Sequence, residues 1–163
     1  MKLLHDLGAD KIKFFLSSPM NSPHMMDVRK AIKSYFDRSE FYQLVCIDNT
    51  AGVVSPRGKY SSEIANSDAI IMILNEDYRE AVRDEFELSQ AYEKPLYVFI
   101  KDGQLDEKQQ DFKCIISKNP ITYMNYHNVD DLINCIESTL CTDMLLNYKK
   151  TLSQINKKRD AFQ

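Results

Sequence analysis

The chain has 163 residues, 44% of them hydrophobic and 28% charged, with a net charge of −3. That size suits one domain with a real core and leaves little room for two. The mixed signs exclude a global basic field for nucleic acid, so a nucleic-acid partner is not expected. No run approaches the roughly 18 apolar residues of a membrane span, and the charged opening "MKLLHDLGADKIK" has no signal-peptide core, so no membrane partner is expected.

Four cysteines stand at 46, 114, 135 and 141. None forms a C-x-x-C pair and no His follows at a zinc-like interval, so no metal is expected. Cys46 and Cys114 lie in apolar runs and read as buried small hydrophobes. Free thiols without a disulfide framework suit a reducing cytoplasm.

In chain order, the first apolar run is "KIKFFLSS" (11–18), followed by "SPHMMDVRKAIKSYF". There Val28, Ala31, Ile32, Tyr35 and Phe36 recur at helical spacing, and Ser22-Pro23 makes a cap with Pro in the first turn. "YQLVCID" (42–48) is a second strand and "KYSSEIANSD" a short helix. "AIIMILN" (69–75) is a third strand, with a helix over "REAVRDEFELSQAYEK" ended by Pro95. "PLYVFIK" (95–101) is a fourth strand, "LDEKQQDF" a short helix, and a weaker fifth strand lies around Ile121–Met124. Val129, Leu132, Ile133, Ile136 and Leu140 then form an amphipathic helix. Short continuous apolar strands alternating with helices predict an α/β, flavodoxin-like, doubly wound five-stranded parallel sheet of order 2-1-3-4-5.

The expected division is an α/β domain over 1–141 and a C-terminal amphipathic helical tail over 142–163. In the tail Leu145, Tyr148, Leu152 and Ile155 fall at spacings of three and four, beside Lys149, Lys150, Lys157, Lys158 and Arg159. It reads either as a last helix folded back on the sheet or as a helix offered to a partner or a second copy.

Ligands of open α/β sheets bind beyond the carboxyl ends of the strands. The segments there supply Ser17, Ser18, Asn21 and Ser22, then Asp48, Asn49 and Arg57, then the acidic run "NEDYREAVRDE". Phosphate-loop, dinucleotide and nucleophile-elbow motifs are absent, which leaves carboxylate chemistry. On a helical wheel Ala81, Leu88 and Tyr92 mark the buried face of the third helix. Glu85 falls on that face, with Glu87 to its side, so the wheel nominates Glu85. Acids in a first helical turn are also common surface residues that favour the helix dipole.

Residues 11–125 resemble the TIR domain. "IANSDAIIMILNEDY" stands where such domains carry "I..SD" before an apolar strand, "RDEFEL" occupies the "WC..EL" position, and "FFLSS" matches the "FISYS" opening. The same segments are similar to the nucleoside 2-deoxyribosyltransferase-like group, with "KFFLSSPMN" for "Y-L-A-G-P" and "FELSQAYEKP" for "F-E-L-G-x-A…G-K-P". The chain departs from the first in having no Trp. It departs from the second in carrying Ser89 for Gly, with only Asp77 or Asp84 as a loose match to its Asp.

Both families break a ribose–base N-glycosidic bond with a carboxylate, and both place it four residues before the Ala of this helix. The resemblance therefore implies Glu87 as catalytic residue, with Glu85 second. Ser17, Ser18 and Asn21 would line the sugar or phosphate. Asp48 and Arg57 would gate the site, and Tyr78 would stack on the base. The expected activity is cleavage of NAD as substrate, with no cofactor required, in bacterial defence or stress signalling. Two other readings stand beside it: a nucleoside or nucleotide N-glycosidase or 2-deoxyribosyltransferase, and a non-catalytic interaction or nucleotide-sensing module. The resemblance also implies a homo-oligomer, formed through TIR-like faces or the C-terminal helix.

Overall fold

A computed structural model describes residues 11–20, 22–47 and 56–160. Five parallel strands form one sheet: β1 (Ile12–Ser17), β2 (Tyr42–Val45), β3 (Ala69–Leu74), β4 (Leu96–Lys101) and β5 (Tyr123–Tyr126). Their order is β2-β1-β3-β4-β5, the flavodoxin-like order. Helices follow each strand in turn: α1 (Pro23–Asp37), α2 (Pro56–Ala65), α3 (Glu80–Ala91), α4 (Glu107–Lys118) and α5 (Val129–Asp160).

β3 is the centre of the sheet, and all six of its residues are buried. It has a helical layer on each face, which is why "AIIMIL" shows no polar alternation. On one face, Ile71 and Ile73 pack with Phe14 and Phe99 under Met25, Val28, Ile32 and Phe36 of α1 and Leu132, Ile136 and Leu140 of α5. On the other, Met72 and Leu74 pack with Val98 and Ile100 under Val82 and Phe86 of α3 and Phe112 and Ile116 of α4. Tyr60 and Ile64 of α2 close over Phe15 and Ile70. Each fully buried aliphatic side chain contributes about 1.5–3 kcal/mol relative to exposure.

Several local expectations shift. α2 begins at Pro56, three residues before the expected start at Lys59; Pro suits a first turn because its missing N–H would be unpaired there. α4 runs to Lys118 rather than ending at Phe112. Phe112 and Ile116, one turn apart, bury that extension, and β5 starts two residues later than expected, after Pro120. Cys114 lies on the extension and is exposed, not buried; Cys46 is half-buried. α3 stops at Ala91, and Glu93 takes a positive φ of 52° just before Pro95.

α5 is one continuous helix of 32 residues, running through the expected boundary at 141/142. Its first half packs on the sheet. Met144, Leu145, Leu146, Tyr148, Leu152 and Ile155 are exposed, so the tail is not folded back.

Candidate active site

The sheet order changes direction between β1 and β3, and the crevice outside their carboxyl ends is where such sheets place ligands. Here the cleft has a volume of about 220 Å³ and is walled by Phe15, Ser18, Arg29, Tyr60, Arg79 and Glu85, among others. Five segments contribute. β1 delivers Ser17 and then Ser18. Ser22 caps α1 by accepting a hydrogen bond from the Met25 N–H at 3.2 Å, which sets the helix that carries Arg29. Ile47 follows β2, Tyr60 comes from α2, and Arg79 and Glu85 come from α3.

Glu85 is the acid of the cleft. Its carboxylate accepts a hydrogen bond from the Ser17 hydroxyl. Ser17 is fully buried, so this end of the carboxylate is taken out of water. Desolvation pushes the Glu85 carboxyl up from 4.5 to about 7, opposed by the Ser17 hydrogen bond and the nearby Arg29 charge and reinforced by Asp84. The side chain is only partly buried overall, and its open side faces the cavity.

Arg29 is 7% exposed. Its guanidinium donates to the Ser18 hydroxyl at 2.7 Å and to the Ile47 carbonyl at 3.2 Å, tying β1 to the end of β2. The Tyr60 hydroxyl donates to Asp84 at 3.3 Å, and burial together with Asp84 raises its pKa. Arg79, at the N-cap of α3, adds a second cation to the wall. The cleft therefore joins a carboxylate poised near neutrality to two guanidinium groups, a hydroxyl and an aromatic ring. Such a set can hold a phosphorylated or hydroxylated ligand against an acid. Among the described residues no three His, Cys, Asp or Glu side chains gather to hold a metal ion.

A larger hollow of about 490 Å³ lies between α5 and the amino ends of β4 and β5. Its acid, Asp143, accepts a hydrogen bond from Tyr97 at 2.6 Å. It lies at the edge of the sheet opposite to that used for ligands, and among the described residues no cation lines it.

Of the two candidate glutamates, Glu85 lines the cleft. Glu87 sits about 200° round the helix from Glu85 and points to solvent, where its carboxylate accepts from Arg83 at 2.9 Å. It does not line the cleft. Tyr78 is also away from it: its ring meets Phe112 edge-on and its N–H donates to Asp106 at 2.8 Å. Tyr60 is the tyrosine of the cleft. Arg57 is exposed in the first turn of α2 and is not part of the wall. Ser18 lines the cleft, whereas Ser17 is fully buried behind it on the Glu85 carboxylate. Asn21 and Asp48 lie outside the described residues.

Sequence reasoning missed Arg29, Tyr60 and Arg79. Arg29 had a legible signal: it falls four residues after Met25 and three before Ile32, a cation set within an apolar stripe. The wheel of α3 was out of phase, since Val82, Phe86 and Ser89 are buried while Ala81 and Tyr92 are exposed. Glu85 nevertheless flanks the true buried face. No protein-family model matches the chain, and no curated protein matches its sequence.

Proposed function

We propose that the cleft is an N-glycosidase site and that Glu85 is its catalytic carboxylate, with the nicotinamide–ribose bond of NAD as the bond broken. The observation that carries this reading is the Glu85–Ser17 pair: a desolvated carboxylate at the switch point of a parallel sheet, in a cavity with two arginines. A carboxylate there can stabilise the positive charge that develops on the ribose ring, or add to the anomeric carbon. The bonding pair leaves with nicotinamide, which departs neutral from its pyridinium form. Water then adds at the same carbon and releases one proton.

The cavity is smaller than the roughly 300–1,000 Å³ of a drug-sized ligand site. It takes a pentose ring, with Tyr60 as the flat surface and Arg79 and Arg29 as the groups facing phosphate. The reading puts the protein in the cytoplasm, where NAD is available and where four free thiols are stable.

The test is an assay for free base by NMR, with concentrated protein incubated with NAD and, separately, with a panel of nucleosides. Nicotinamide release that disappears in Glu85→Gln and persists in Glu87→Gln supports the reading. Release from nucleosides alone assigns the same cleft to a nucleoside N-glycosidase or deoxyribosyltransferase. No release from any substrate at high protein concentration leaves a binding module and removes the enzymatic reading.

A further inference from the structure

The hollow of about 490 Å³ between α5 and the amino ends of β4 and β5 has the volume of a small-molecule site, roughly 300–1,000 Å³. Chain topology builds it. β5 lies beside β4, so the residues that lead into the two strands, Ile121 and Leu96, come to the same end of the sheet. The turn of α5 just beyond the buried Leu140 forms the opposite wall. Leu96, Ile121 and Met124 make an apolar surface, and Thr142 and Asp143 of α5 bring a hydroxyl and a carboxylate to it.

Asp143 is half-buried, and its Oδ2 accepts a hydrogen bond from the Tyr97 hydroxyl at 2.6 Å. Burial, then the Asp143 charge, raises the Tyr97 pKa, so that hydroxyl keeps its proton and stays a donor. Among the described residues no Lys, Arg or His pairs with Asp143. Glu76 and Glu63, by contrast, hold Lys101 at 2.7 Å and Lys13 at 3.2 Å.

These groups select the occupant. An anion would meet the Asp143 carboxylate in a wall that offers it no cation among the described residues. A wholly apolar molecule would strip water from that carboxylate and leave its charge uncompensated, which is costly. A calcium-like ion takes roughly six to eight oxygen ligands, and among the described residues no three Asp, Glu, His or Cys side chains gather. A guanidinium pairs best with both carboxylate oxygens, and Oδ2 is already engaged by Tyr97. An ammonium needs only one oxygen and has further hydrogens for a hydroxyl such as that of Thr142. We propose that this hollow binds a small primary amine with an apolar body, its ammonium on Asp143 Oδ1 and its body against Leu96, Ile121 and Met124. The site does not depend on the N-glycosidase reading, since it lies at the other end of the sheet and shares no residue with the Glu85 cleft.

The experiment is an NMR titration of the isotope-labelled full chain, with phenethylamine as the probe and phenethyl alcohol as its uncharged counterpart. The amine shifts the amides of Leu96, Tyr97, Ile121, Met124, Thr142 and Asp143 and saturates; the alcohol binds roughly tenfold or more weakly. Asp143→Asn weakens the amine by a similar factor and leaves the alcohol unchanged. Equal binding of the two probes, or amine binding undiminished in Asp143→Asn, overturns the proposal. So do shifts spread over the acidic surface at large, or no saturation with the amine in the millimolar range. The two probes compared on the wild type decide the matter even if the variant does not fold.

Discussion

The Ser17 hydroxyl donates its hydrogen bond to the Glu85 carboxylate across 68 positions of sequence, from the end of β1 to the second turn of α3. That contact sets an ionisable group where water cannot fully reach it, and stability should register the fact. The Glu85 carboxyl is raised from 4.5 to about 7 in the folded protein, so the native state holds its proton more tightly than the unfolded chain does. Stability from this group is fully present below about pH 4.5 and is lost as pH rises to about 7. The loss is roughly 3 kcal/mol by linkage. Glu85→Gln lacks this loss. In urea melts the variant should gain on the wild type between pH 4.5 and 8, while losing turnover. A wild type that gains on the variant over that range would contradict the burial of Glu85.

The same titration sorts the two substrate classes. Nicotinamide leaves NAD without needing a proton, so ionised Glu85 is the useful form and the rate should rise with pH through about 7. A neutral base leaving a nucleoside benefits from protonation, and with Glu85 as the acid the rate should fall over the same range. The initial rate at each pH, measured on both substrates, distinguishes them.

Glu87 and Arg83 form an i,i+4 ion pair whose carboxylate side chain is 56% exposed. Pairs of this kind contribute a few tenths of a kcal/mol. Glu87→Gln should change stability by less than about 0.5 kcal/mol and leave base release intact. Loss of release with an unchanged melt would return the catalytic role to Glu87.

Arg29 should matter in two ways. Arg29→Met leaves the Ser18 hydroxyl and the Ile47 carbonyl without its two hydrogen bonds, at about 1–3 kcal/mol for each group left unsatisfied. It also removes the cation that holds the Glu85 carboxyl down, so the rising limb of the pH–rate profile should move to higher pH. Arg29→Lys keeps a charge but not the planar two-point hold. It should restore most of the pH profile and only part of the stability.

Strand identity and order were legible because buried parallel strands are apolar without interruption, and right-handed crossovers leave few ways to connect them. Ile70, Ile71, Met72, Ile73 and Leu74 could hardly lie anywhere but in the centre. Helix phase was less legible. In α3 the apolar residues are few, and Ala81 and Tyr92 face outward while the polar Ser89 is buried. In α4 the run Cys114, Ile115, Ile116 looks like the approach to a strand, and only the contact of Ile116 with the layer beneath makes it helical. The cleft was half visible. Ser17 and Ser18 announced themselves by following β1, and the wheel pointed at Glu85. Spacing borrowed from the resembling families then favoured its surface neighbour. Arg29 was hidden because a periodic apolar pattern is scored by the hydrophobes it contains and not by the cation among them.

Beyond Met144, α5 carries positive charge away from a negative body, along a rod of about 24 Å. Separated charge of that kind gives the molecule a large permanent dipole moment. Its solubility should therefore climb as electrolyte is added at low concentration, since counter-ions shield each end from its opposite on neighbouring molecules. A chain whose net charge is only −3 would in this respect behave as a strongly polar particle, and dilute low-salt buffer should be the condition under which it precipitates first.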